Sequence, residues 1–171
     1  MVKTTAITVT DVNDEAPVFT SSATANVAEG ATAVVTLTAT DADAADSSVT
    51  FAISTDDAGS GTQFALSGST LTIAAQDYEN PGCGAGSDSL ICTVIVTATD
   101  AASTVTSQTI TVTITDVNDQ TPAFTSSNAI SVAEGATAVV TLAAADTDTA
   151  DSGGLTYAIV TDDPGTGTQF A

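Results

Sequence analysis

The side chains in this chain that could do chemistry are acidic, and they recur at fixed spacings. Asp11-Val12-Asn13-Asp14, followed by Pro17 and Phe19, returns as Asp116-Val117-Asn118-Asp119, followed by Pro122 and Phe124. The offset is 105 residues (116 − 11). Glu29 returns as Glu134, and Asp41-Ala42-Asp43 returns as Asp146-Thr147-Asp148, at the same offset. Tyr157 answers Phe51 one position later, so one residue is inserted after the second Asp-x-Asp pair. Carboxylates with an amide oxygen among them suit a hard cation such as Ca2+, which takes roughly six to eight oxygen ligands. Asn13 and Asn118 fit such a set because an amide oxygen ligates without adding charge.

Other chemistries fit less well. There is no His and no Arg, and Lys3 is the one Lys, so nucleophile–base dyads that use His cannot form. Asp146-x-Asp148-x-x-Asp151 begins like an EF-hand loop, but its sixth and twelfth positions are Asp151 and Tyr157 instead of Gly and Glu. Asp56-Asp57 and Asp162-Asp163 could supply a carboxylate pair for glycoside hydrolysis. Both lie in Thr-Asp-Asp-x-Gly turns, where a capped loop is the plainer reading. A carbohydrate platform would need exposed aromatic rings. Tyr78 and Tyr157 are the two tyrosines, and Tyr157 is expected in the core.

A fixed period of this size marks a tandem array with one domain per repeat. The chain has 171 residues with 43% hydrophobic content, enough for one core of about 100 residues and a further part. Aromatic content is 4% and Trp is absent, so the core must come from Val, Ile, Leu, Ala and Thr, a composition that favours strands. Strands are expected at 24–28, 32–40, 49–54, 64–66, 70–74, 90–99 and 105–115. Residues 32–40 and 109–115 alternate apolar and polar, the period of a half-buried strand. Short strands with Gly/Ser/Asp turns and no helical period suggest a Greek-key sandwich. Residues 4–10 read as the last strand of a preceding repeat, since 109–115 match them one period later. Residues 1–14 are therefore read as that strand and its linker, 15–119 as a complete repeat with its linker, and 120–171 as the N-terminal half of the next. A half sandwich exposes strand edges. The chain is accordingly read as a piece of a longer array, or as a subunit whose missing strands come from neighbouring subunits.

The charge is −20, with 21 acidic residues. Such a surface repels nucleic acid and anionic membranes, and repels itself unless cations offset it. A merely solubilising acidic surface would scatter its acids, whereas here they gather in linkers and loops. Met1-Val2-Lys3 leads straight into the 4–10 segment without an apolar leader, so a signal or anchor is expected outside this chain. No stretch approaches the ~20 apolar residues of a membrane span. Cys83 and Cys92 flank the Gly/Ser-rich 84–89 loop. A disulfide in an oxidising compartment suits them, and two buried thiols remain the alternative. Because Cys83 lies several residues past Glu79, reduction is expected to leave the linker residues intact.

These residues resemble the cadherin repeat. Both linkers fit its Asp-x-Asn-Asp-x-x-Pro-x-Phe pattern. Glu29 and Glu134 are similar to its first-strand Glu, and Asp41/Asp43 and Asp146/Asp148 to its Asp-x-Asp. Asp77-Tyr78-Glu79 resembles its Asp-Arg-Glu, with Tyr78 in place of Arg, and Ala98-Thr99-Asp100 resembles its Ala-x-Asp. The Cys83/Cys92 loop is a departure. The resemblance covers nearly the whole chain and implies tandem seven-stranded, immunoglobulin-like or cadherin-like all-β sandwiches.

It also implies Ca2+ at the linkers. Glu29, Asp77, Glu79, Asp116, the Val117 carbonyl, Asn118, Asp119, Asp146 and Asp148 would be ligands at the second linker. Asn13, Asp14, Asp41, Asp43 and Asp100 would be ligands at the first. The expected role is adhesive and mechanical, not enzymatic. It implies a homophilic or heterophilic protein partner or self-assembly into filaments, and an extracellular, cell-surface location. The Ala/Thr/Val/Ser-rich composition points to a large microbial surface adhesin or filament. A passive spacer is the alternative.

Overall fold

Alternation fixes the inner faces of the two longest strands. β8 (Ile91–Thr99) buries Cys92, Val94, Val96 and Ala98 while Thr93, Ile95 and Thr97 stay half-buried. β9 (Val105–Thr115) buries Ile110, Val112 and Ile114 against half-buried or exposed threonines. The two strands pair antiparallel from Ile91↔Thr113 to Thr99↔Val105. This is a computed structural model; it describes residues 1–43, 48–56, 62–83, 90–148 and 154–160. The 84–89 loop, Asp57, Asp151, Asp162, Asp163 and the Phe170-Ala171 end lie outside the described residues.

The chain packs as two units, Met1–Thr115 and Asp116–Ala171. In the first, β2 (Thr24–Ala28), β9, β8 and β5 (Thr50–Asp56) form one sheet in that order. β2 runs parallel to β9 and the other pairs are antiparallel. The second sheet orders β3 (Ala33–Thr36), β7 (Thr70–Ile73) and β6 (Phe64–Ser67). Two further short strands, β1 (Val18–Phe19) and β4 (Ala39–Thr40), pair with each other.

Val27 and the inner residues of β8 and β9 meet Leu37, Phe64, Leu71 and Ile73 in one core. Each large aliphatic side chain buried there contributes about 1.5–3 kcal/mol. β6 and β7 join through Gly68-Ser69, and Gly68 takes the positive φ (+61°) that a two-residue hairpin turn requires. The fold is all-β, as expected, and the expected strands fall within two residues of the observed ends, except that 32–40 divides into β3 and β4.

Residues 4–10 differ from expectation. No strand forms there among the described residues, and Ile7 and Val9 are 86% and 90% exposed. Alternation chooses which face a strand buries, but a strand also needs a hydrogen-bonded neighbour.

In the second unit, β10 (Ala123–Phe124) pairs with β11 (Ala144–Ala145). This repeats the β1–β4 pairing one period later. The rings of Phe124 and Tyr157 meet at a tilt with centroids 6.1 Å apart, as those of Phe19 and Phe51 do at 5.9 Å in the first unit. Tyr157 nevertheless remains 44% exposed, short of the core position expected for it.

Candidate functional site

The Asp41-Ala42-Asp43 loop follows β4 and folds on itself. Asp43 N–H donates to Asp41 Oδ1 at 2.9 Å, an Asx-type turn. Asp43, 7% exposed, then accepts through Oδ2 from the N–H groups of Asp14 at 3.0 Å and Glu15 at 2.9 Å. The linker segment is thus clasped by a carboxylate from the loop. Asp100 opens the β8–β9 turn, where its Oδ1 accepts Thr104 N–H at 2.7 Å and its carbonyl accepts Ser103 N–H at 3.3 Å. Ser103 adopts a φ of 72° to close that turn.

The second unit repeats the clasp. Asp148 N–H donates to Asp146 Oδ1 at 3.1 Å, and Gln120 N–H donates to Asp148 Oδ2 at 2.9 Å. Gln120, Asp146 and Asp148 stand one period after Glu15, Asp41 and Asp43. Gln120 Nε2 also donates to Asp119 Oδ1 at 2.8 Å. Asp116 is half-buried, and Val117, Asn118 and Asp119 are exposed.

Satisfied oxygens hold these loops closed, and other oxygens are left over. Asp41 Oδ2, Asp100 Oδ2, Asp146 Oδ2 and Asp148 Oδ1 are buried and accept no hydrogen bond among the described residues. Burying an acceptor without a donor is costly, and more so when it is charged. One Lys and no Arg or His leave the chain almost no basic group to pair with these oxygens. Oxygen coordination to a cation satisfies such lone pairs. The residues therefore fit Ca2+ on the chemistry of their donor set. Burial pushes the Asp148 carboxyl above its ordinary range, and the charges of Asp146, Asp116 and Asp119 push it further. The Gln120 N–H acts in the opposite sense.

A second acidic group lies at the other end of the first unit. β2 runs parallel to β9, so Glu29 follows β2 where β9 ends, far from the β8–β9 turn that carries Asp100. Glu29 N–H donates to Thr115 O at 3.0 Å, and Glu29 Oε2 accepts Tyr78 N–H at 2.8 Å. Glu79 N–H donates to Asp77 Oδ1 at 3.1 Å. Glu29, Asp77 and Glu79 are thereby brought together although 48 residues (77 − 29) separate the first two in sequence.

Tyr78 is half-buried against the core, which accounts for a ring at this position. Gln76, beside this loop and 6% exposed, belongs to no repeated motif in the sequence. Its one signal was a polar amide between apolar β7 and the acidic triplet.

Cys83 and Cys92 form a disulfide with Cα atoms 5.1 Å apart, both in the core. Asp56 Oδ2 accepts the N–H groups of Gln63 at 2.7 Å and Phe64 at 3.0 Å, so it caps the entry to β6.

No protein-family model matches the chain, and no curated protein matches it. Solved structures do. Human Protocadherin-24 EC1-2 is similar at a TM-score of 0.67 and 21% identity, over 92% of this chain and 70% of that one. The human Desmocollin-1 ectodomain is similar at 0.58 and 22%, over 81% of this chain and 28% of that one. The Protocadherin GammaB4 extracellular domain is similar at 0.50 and 29%, over 69% of this chain and 19% of that one. The chain thus spans less than a third of the length of the last two. With its two sheets packed on one core and these neighbours, the chain has a cadherin-like, immunoglobulin-type β-sandwich fold.

Proposed function

We propose that this chain is a calcium-dependent repeat segment of an extracellular, cell-surface adhesin, made rigid by Ca2+ at its linkers. Residues 15–119 are taken as one repeat with its linker and 120–171 as part of the next. The observation that carries the reading is the set of buried carboxylate oxygens without donors among the described residues: Asp41 and Asp146 at matched positions of both loops, Asp148 in the second loop, and Asp100 at the β8–β9 turn.

Asn13, Asp14, Asp41, Asp43 and Asp100 would hold an ion at the first linker. Glu29, Asp77, Glu79, Asp116, Val117, Asn118, Asp119, Asp146 and Asp148 would supply ligands at the second. Bound there, Ca2+ supplies positive charge and oxygen coordination between carboxylates that otherwise repel. The protein holds the ligand loops closed beforehand through the Asp43 and Asp148 clasps.

Adhesion through a homophilic or heterophilic protein partner is supported by the likeness to a desmocollin and to protocadherins. The experiment is titration calorimetry on the whole chain. Heat on adding Ca2+, reduced in Asn118→Ala plus Asp119→Ala, supports the reading. No heat, together with no effect of chelator on elongation by scattering, contradicts it.

A second reading is a filament or spacer subunit completed by strands from neighbouring subunits. It is favoured by Ile7 and Val9, which are exposed although their counterparts one period later, Val112 and Ile114, are buried. Self-association of the purified chain on adding Ca2+ favours the adhesin, and association indifferent to Ca2+ favours the filament.

A further inference from the structure

Gln76 engages both ends of its buried amide. Nε2 donates to Ala74 O at 2.7 Å and to Gln63 Oε1 at 3.1 Å. Oε1 accepts Gly82 N–H at 3.0 Å and lies 3.4 Å from Cys83 Sγ. A disulfide sulfur carries no proton, so this last approach is a contact and not a hydrogen bond. Gly82 permits the close packing, since a Cβ there would stand 3.2 Å from Gln76 Oε1.

The backbone of Gln76 faces the acidic group. Its carbonyl accepts Gly30 N–H at 2.9 Å, next to Glu29, and its chain continues directly into Asp77. The Tyr78 N–H two residues on holds Glu29 Oε2. Glu29 on one side and Asp77 and Glu79 on the other are therefore built outward from Gln76. Sequence distance separates Cys83 from Glu79, but Gln76 touches Cys83 and adjoins the loop that carries Glu79.

We propose that Gln76 is a positioning residue for the cation ligands Glu29, Asp77 and Glu79, and that the Cys83–Cys92 bond sets their affinity through it. Ca2+ affinity at this end of the repeat is then redox-dependent. The inference rests on the cation reading of these loops. Reduction by an external dithiol breaks the sulfur–sulfur bond and delivers two electrons and two protons. Two thiols form, and the dithiol leaves as its own disulfide. With Cys83 released from β8, Gly82 and the Gln76 amide lose a fixed support, and the ligand loop loses its preorganisation. Groups that orient metal ligands from behind typically change affinity by about 10–100-fold.

The test uses the whole chain, isotope-labelled and titrated with Ca2+. Amide shifts at 77–80 report one end of the first unit, and shifts at 13–15 and 41–43 report the other. Gln76→Leu keeps the bulk and removes the polar atoms. It is expected to weaken binding at 77–80 about 10-fold and to leave 13–15 and 41–43 unchanged. Dithiothreitol, or Cys83→Ala with Cys92→Ala, is expected to act in the same direction and not to add to Gln76→Leu, because both act along one path. If Gln76→Leu does not fold, as judged by its β8 and β9 amides, Gly82→Ala decides, with a smaller weakening at 77–80 alone. Unchanged affinity at 77–80, or an equal fall at both ends, overturns the proposal. No Ca2+ shifts at either end of the unmodified chain overturn the cation reading, and this proposal with it.

Discussion

Asp43→Ala separates a structural clasp from a cation ligand. The wild-type carboxylate accepts two backbone N–H groups, from Asp14 and Glu15, at 3.0 and 2.9 Å. A hydrogen bond to a charged acceptor contributes about 1.5–3 kcal/mol when both partners are sheltered. Asp14 and Glu15 are exposed, so their amides regain water in the variant. Loss of repulsion from Asp41 offsets part of the remainder. The expected cost in chelator is about 1–2 kcal/mol, or roughly 4–10 °C in Tm for a domain of this size. In Ca2+ at about 100 times Kd, the wild type gains a further ~2.7 kcal/mol per ion. The variant forfeits most of that gain, so the Tm difference should more than double. Scanning calorimetry of the whole chain, with chelator and then with Ca2+, measures both differences. An equal drop in the two conditions would show that Asp43 only clasps the linker.

Mass spectrometry without reduction should find no alkylatable thiol, and reduction should cost about 2–3 kcal/mol of stability to denaturant, as expected for closing so short a loop. Gly68→Ala should cost about 1 kcal/mol through its positive φ alone, because a Cβ there meets nothing within 4 Å; a urea midpoint shift without a change in Ca2+ binding checks this. The raised Asp148 carboxyl gives a pH dependence. Its proton favours the folded state at low pH, and that stabilisation fades as pH rises through the raised value. Ca2+ competes with the same proton, so affinity at 146–148 should climb with pH from the carboxylate range towards neutral; a flat titration across that range contradicts it.

Periodicity carried most of the fold. The expected strands 24–28 and 105–115 coincide with β2 and β9 because one face of each is buried and the alternation is strict. The same repeat placed Asp41/Asp43 and Asp146/Asp148 in loops of matching geometry. Sequence alone could not supply partners. Residues 4–10 carry the alternation of 109–115 but join no ladder among the described residues, and Ile7 and Val9 are exposed. Gln76 was equally illegible. Its partners Gln63 and Gly82 come from 13 and 6 residues away, and only the packed sandwich brings their polar atoms together beside Cys83.

In the proposed function Ca2+ coordination, and not charge screening alone, makes the linkers rigid. The direct measurement is the distance distribution between encoded spin labels at Ser107 and Thr125, one in each unit, with chelator, with Ca2+, and with high NaCl and chelator. Screening weakens repulsion but forms no oxygen-coordinated bridge. A broad distribution is expected in chelator, one narrow distance in Ca2+, and only partial narrowing in NaCl. A narrow distance restored by NaCl alone would contradict it.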